Sequence, residues 1–224
     1  RRWIRNNLAG LNPDNPQGTV CLFVDEFTNY NDTETGIAAI KLLTSLNYKV
    51  VTINHDISAR TFISKGLLRK AGKISKKNIS ALCDIISESL PLIGIEPSAI
   101  FGFRDEYPDL AGAGLKEKAL KIAANSYLID EFIDREFREG RISRESFTTE
   151  RREILLHAHC QQKAVSSSAP SINMLSIPEN YMVKEIPSGC CGMAGSFGYE
   201  KEHYDLSQKI GELVLFPEIR SSRS

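Results

Sequence analysis

Several things are scarce in this chain of 224 residues. There is no excess of charge: 28 Lys and Arg stand against 28 Asp and Glu. A dedicated binder of nucleic acid or acidic membrane needs a basic excess, so neither is expected as a partner. No apolar run approaches the roughly 18 residues of a membrane-spanning helix. Cysteine is sparse and odd in number, five in all, which does not suit a disulfide scaffold. No signal-peptide pattern opens the chain, and a reducing, cytoplasmic setting is the expectation. No Ser-His-Asp arrangement, phosphate loop or basic groove with interleaved aromatics is found. Arg1 opens the chain in place of Met, and polar Arg220-Ser221-Ser222-Arg223-Ser224 closes it. A piece of a longer polypeptide is expected from that.

What is present is an ordinary globular mixture, 42% hydrophobic and 25% charged, with enough material for one large domain or two small ones. Thr19–Val24 (TVCLFV) reads as a buried strand. Asp25–Thr33 reads as a turn. Glu34–Leu46 carries Ile37, Ile40, Leu43 and Leu46 at helical spacing, with Asp32 or Thr33 as cap. Tyr48–Ile53 (YKVVTI) is a second strand. Strand, helix, strand within so short a stretch is the βαβ signature of a parallel sheet.

Helices are then expected over Ser58–Ala71 and Ser75–Leu90, a short strand over Leu92–Ile95, and one long helix over Leu115–Arg138. Cys21 and Cys83 fall among apolar residues and read as core. The acidic residues Asp105-Glu106, Asp130-Glu131 and the run to Glu136 read as solvated faces. Charged Arg141–Arg151 is the candidate boundary. The pattern then restarts, with a strand at Arg152–His157, a helix at Gln161–Leu175, a strand at Tyr181–Ile186 and a last helix at Tyr199–Phe216. The fold class expected is α/β, two pseudo-repeated βαβ-type units with parallel sheets and flanking helices, over residues 1–150 and 151–224. Ile57 follows Glu26 by 31 positions, and Cys190 follows Cys160 by 30.

The chemistry-bearing residues cluster in the second unit. His157-Ala158-His159-Cys160 and Gly189-Cys190-Cys191-Gly192 both follow strands of one βαβ unit. Ligands of open parallel sheets bind beyond the carboxyl ends of the strands, so Cys160 and the Cys190-Cys191 pair should meet at one rim. Thiolates are the ligands of iron–sulfur clusters. Flanking Gly189 and Gly192 would let backbone approach a bulky inorganic group. The bland alternative is that each cysteine is a small buried apolar residue. His157 and His159 alternate on a strand end and can face one side. They could join a cysteine in a zinc site, or serve as nearby donors. Gly192, Gly195 and Gly198 are spaced differently from a dinucleotide-binding fingerprint, and read as a turn that wraps a site.

The segments HAHCQQKA, SGCCGMAGSFGYEKEHYDLSQKIGELVLFP and ISKGLL resemble the cysteine-rich CCG domain family. This module occurs in one of the heterodisulfide reductase polypeptides, in one of those of anaerobic glycerol-3-phosphate dehydrogenase, and in the iron–sulfur proteins of glycolate and lactate oxidation. The chain is most similar to the C-terminal region of large FAD-linked oxidases. The resemblance implies that Cys160, Cys190 and Cys191 are metal ligands, with His157, His159, Gly189 and Gly192 around the cofactor. It implies a [4Fe–4S] cluster in the complete protein, and FAD on a preceding domain. It implies flavin and ferredoxin-like partner domains, an acceptor such as a quinone with at most peripheral membrane contact, and a 2-hydroxy acid such as glycolate, lactate or 2-hydroxyglutarate as substrate. A last cysteine of the second repeat would fall at or beyond Ser224, so the isolated chain is expected to lack the cluster. In the first repeat Glu26 stands where the family has its first cysteine. Ile57 and Ser58 replace the pair, and Ala99 replaces the last ligand. That repeat is expected to be a scaffold. The alternative is a structural or docking module with a degenerate or zinc-binding site.

Overall fold

The structure, a computed structural model, describes residues 2–193 and 197–222. The chain forms two compact units, Arg1–Phe132 and Ile133–Ser224. Both are mixed α/β, and every strand pair is parallel.

Four strands build the sheet of the first unit: β1 (Gly18–Leu22), β2 (Tyr48–Val51), β3 (Leu92–Gly94) and β4 (Ser126–Leu128), in the order β2-β1-β3-β4. Val20 and Cys21 lie opposite Val50 and Val51, and Cys21 and Leu22 opposite Leu92 and Ile93. Val20, Val50, Leu92 and Ile93 have no solvent exposure, as expected for a parallel sheet covered on both faces. The helix Thr33–Ser45 joins β1 to β2. Asp32 caps it by accepting from the Thr35 N–H, and Ala39, Ile40 and Leu43 are buried.

The expected turn at Asp25–Thr33 contains a short helix, Glu26–Tyr30, capped by the Asp25 carboxylate through the Phe27 and Thr28 N–H groups. The two helices expected over 58–71 and 75–90 are instead Arg60–Ser64 and Leu68–Leu82. Gly66, at φ +69°, ends the first, and Gly72-Lys73-Ile74 continues the second. The expected long helix over 115–138 is two helices, Lys116–Ala124 and Ile129–Arg138, with β4 between them. Asn125 ends the first helix, and the three-residue strand is too short to show alternation.

The acidic residues read as solvated are mostly paired and covered. Glu131 accepts two bonds from Arg104 at 2.9 and 2.7 Å. Asp134 and Glu136 are 2% and 3% exposed. Arg138 pairs with Asp134, and Arg135 and Arg141 with Glu136. Arginine forks neutralise these carboxylates, which lets them be buried.

Among its described residues the second unit has two strands, β5 (Arg152–Leu156) and β6 (Tyr181–Glu185), paired from Arg152 opposite Tyr181 to Leu156 opposite Glu185. The connecting helix breaks at Ser166–Ser168 into Cys160–Val165 and Ala169–Leu175. The expected last helix is likewise split, into Tyr204–Gly211 and Leu215–Ser221. No residue of β5 or β6 is fully buried, in contrast to β1 and β3. Among the described residues no helix is long and apolar enough to cross a membrane.

Candidate functional site

The site of the second unit grows from the carboxyl ends of β5 and β6. Beyond Leu156 the chain runs through His157 and buried Ala158 to His159, the cap of the helix Cys160–Val165. The His159 Nδ1 accepts from the Gln161 N–H at 3.1 Å, so its proton resides on Nε2. The His157 Nδ1 lies 2.7 Å from the Ser188 hydroxyl. Partial burial, followed by nearby Lys163, lowers the pKa of His157. Lys163 donates to the Ser188 carbonyl at 2.6 Å. Sequence reasoning missed Ser188 and Lys163. Their one signal is position, two residues before Cys190 and three after Cys160.

Cys160 is exposed, and Cys190 and Cys191 are half-buried. Partial burial raises the Cys160 pKa, and Cys190 and then Cys191 raise it further through charge repulsion. Cys160 opens the helix after β5, and Cys190 and Cys191 lie in the segment after β6. The Gly192 N–H donates to the Cys190 Sγ at 3.3 Å. Gly189 is exposed, with nothing within 4 Å of an added Cβ. Gly192 is buried at φ +89°, and its backbone lies against that of Ser207. Gly195 lies outside the described residues. The Gly198 N–H donates to the Met193 carbonyl at 3.0 Å.

The donor set has the chemistry an iron–sulfur group uses: cysteines after the carboxyl ends of two paired strands, an amide N–H donated to the Cys190 sulfur, and an unobstructed glycine beside them. Among the described residues, no three His, Cys, Asp or Glu side chains gather as a single bound ion requires. A cluster distributes its ligands over several irons and needs only a shared rim.

The first unit places different residues in the same local layout. Asp25, like His159, caps a helix directly after a strand end, and Glu26, like Cys160, is the first helical residue. Ile57-Ser58-Ala59 follows β2 as Cys190-Cys191-Gly192 follows β6. Ala59 has φ +64° and Gly192 φ +89°, a left-handed conformation that is uncommon for a residue with a side chain. Here the rim is closed by direct bonds. Glu26 accepts from the Ser58 N–H at 2.8 Å and from its hydroxyl at 2.7 Å. Buried Asn78 donates to the Ile57 carbonyl and accepts from the Asp56 N–H. Buried Tyr107 donates to the Ser58 carbonyl at 2.9 Å. Arg60 pairs with Glu96 at 2.9 Å, and Glu96 caps the helix that carries buried Ala99. Cys21 and Cys83 are core residues, 1% and 3% exposed.

The chain is 26% identical over 208 residues to D-2-hydroxyglutarate dehydrogenase of Escherichia coli strain K12, covering 92% of the chain and 19% of that protein. It is 24% identical over 206 residues to the Pseudomonas putida protein of the same name, again covering 92% and 19%. It is also 26% identical over 224 residues to one polypeptide of the anaerobic glycerol-3-phosphate dehydrogenase of E. coli K12, covering 99% of the chain and 54% of that polypeptide. The chain thus spans about a fifth of the length of the first relatives and about half that of the last. No family model and no solved structure matches it.

Proposed function

We propose that this chain is an iron–sulfur electron-transfer region of a larger oxidoreductase, with Cys160, Cys190 and Cys191 as ligands. The observation that supports the reading is the layout of the second unit: Cys160 and the Cys190-Cys191 pair each follow the carboxyl end of a strand of one parallel pair, beside a left-handed glycine. The relatives support the class, since each is named as a dehydrogenase or as part of one. The sequence halves 1–150 and 151–224, whose division falls after the boundary between the compact units at Phe132, are read as a repeat in which the first has exchanged its ligands for Glu26 and Ser58.

When bound, the cluster would supply one-electron acceptance and donation. The protein's contribution is to hold and tune. Cys160 enters from a helix start and the pair from a loop, so two separate elements would grip the group. The Gly192 N–H on Cys190 would withdraw charge from that sulfur and favour the reduced state. His157, tied to Ser188, and His159, tied to the helix start, would line the rim as donors. FAD would lie on another domain and take electrons from a 2-hydroxy acid, of which 2-hydroxyglutarate is the one named in a relative.

Anaerobic reconstitution with iron and sulfide, in excess small thiol to complete the ligand set, tests this. Iron and acid-labile sulfide should be taken up together with a paramagnetic signal on reduction. Cys160→Ser and Cys191→Ser should each lower the uptake several-fold. Uptake unchanged in the Cys160→Ser/Cys190→Ser/Cys191→Ser variant would refute the assignment. So would one zinc per chain with no iron.

A further inference from the structure

The electron-transfer reading leaves the helix Leu68–Leu82 unused, and the charge of that helix is one-sided. From Ile57 to Cys83 the chain holds seven Lys and Arg, while all 28 Asp and Glu lie outside that stretch. Helical geometry, about 100° per residue, puts Arg69, Lys70, Lys73, Lys76 and Lys77 within an arc of about 120°, along about 12 Å of one face. All five are exposed. The opposite face is buried through Ala71, Ser75, Asn78, Ile79 and Leu82. Among the described residues, Lys77 pairs with Asp56 at 3.3 Å while its side chain stays 71% exposed, and Arg69, Lys73 and Lys76 form no ion pair.

The arrangement works against the helix itself. Lys73 meets Arg69 and Lys77 at four-residue spacing and Lys70 and Lys76 at three, and all four pairs repel. Cations stabilise the last turn of a helix and destabilise the first. Here Arg69 and Lys70 stand in the first turn, no acid accompanies them, and the last turn has no base. Solubility alone would be served as well by mixed charges. A local rule broken repeatedly on one exposed face marks a functional surface. Leu67 and Leu68, 46% and 54% exposed, add an apolar contact at the helix start.

We infer that this face docks the acidic surface of another protein. Its cations stand one helical turn apart and match carboxylates spaced by one turn on a partner helix. Complementarity of this kind steers encounter and fixes register. Leu67 and Leu68 supply the apolar centre of the contact, and the cations its polar rim. Two other polyanions fit less well. A membrane-surface helix lays its apolar face into the lipid, and the apolar face here is buried. A dedicated nucleic-acid surface carries a basic excess over its domain and interleaves aromatics. The chain is neutral and the helix has no aromatic residue. The inference rests on charge placement and does not require a bound cluster.

Dye-labelled poly-L-glutamate is the probe, with phosphatidylserine vesicles and duplex DNA tested beside it on the full chain. Polyglutamate should bind, and its affinity should fall as salt rises. Arg69→Glu/Lys73→Glu/Lys76→Glu should weaken it about tenfold or more. Lys41→Glu/Lys49→Glu/Lys209→Glu makes the same change of net charge at exposed positions elsewhere. That control should weaken binding by less than about threefold. Equal losses in the two variants overturn the inference. So does absence of binding by the parent at low salt. Tighter binding of vesicles or DNA through the same three residues overturns it as well, because a membrane or a nucleic acid would then be the occupant. Lys73→Glu alone should raise the urea midpoint followed by Trp3 fluorescence, since it turns all four repulsive pairs attractive. A midpoint that fails to rise would show that the face imposes no strain for a partner to explain, and would sink the inference.

Discussion

Gly192→Ala is expected to destabilise the second unit by roughly 3 kcal/mol or more, through two causes that add. The residue sits at φ +89°, where a Cβ approaches its own backbone. That Cβ would also stand 2.3 Å from the Ser207 carbonyl oxygen and 2.9 Å from the Ser207 Cα. The obstacle is helix backbone, within Tyr204–Gly211, and Ser207 is 2% exposed. A side chain could swing away, but this segment can only shift as a body. Ala59→Gly is the internal control, at the matching position of the first unit. Relief of about 1–2 kcal/mol of left-handed strain is there offset by the loss of a buried methyl, about 0.8 kcal/mol, and by added chain entropy. A change within about 1 kcal/mol is expected. Urea unfolding should be followed by far-ultraviolet circular dichroism. The single tryptophan, Trp3, belongs to the first unit and would not report the second. A Gly192→Ala variant as stable as the parent would contradict the backbone conformation described for the Cys190-Cys191-Gly192 turn.

The second large effect concerns the ion pair of the first unit. The Arg60 and Glu96 side chains are 13% and 15% exposed and 2.9 Å apart. Arg60 also lies over the Phe27 ring at 5.4 Å. Arg60→Ala strands a carboxylate in a nearly dry place, and a loss of about 3–5 kcal/mol is expected. Glu96→Ala should cost a similar amount, because it strands the guanidinium and also removes the cap on the Ser98 N–H. The double variant Arg60→Met/Glu96→Leu should cost clearly less than either single change, leaving mainly the lost cap of about 1 kcal/mol. Trp3 fluorescence suits this measurement. Single variants that each cost under about 1 kcal/mol would show the pair to be effectively solvated.

Much of the architecture was legible because the informative segments are long and strongly patterned. TVCLFV, YKVVTI and REILLH lie over β1, β2 and β5, and their repetition pointed to parallel pairing. That Cys160 and the Cys190-Cys191 pair each follow a strand of one parallel pair was legible from topology alone. What escaped was local or long-range in a different way. β4 is three residues between two helices. The helix Glu26–Tyr30 depends on one capping carboxylate. The burial of Asp134 and Glu136 depends on arginines whose approach no periodicity encodes. Ser188 and Lys163 meet through a loop, where side-chain direction is set by neighbours distant in sequence.

The closed rim of the first unit has a consequence for handling the protein. Cys21 and Cys83 are its cysteines and both are buried. Burial pushes the Cys21 thiol up to about 12, which leaves almost no thiolate at neutral pH. Every cysteine that a water-soluble alkylating or oxidising reagent meets in the folded chain is therefore Cys160, Cys190 or Cys191. Air oxidation should be confined to these positions. Rapid thiol titration of the native protein thus reports the state of the second unit alone, and the first unit stays silent until it unfolds.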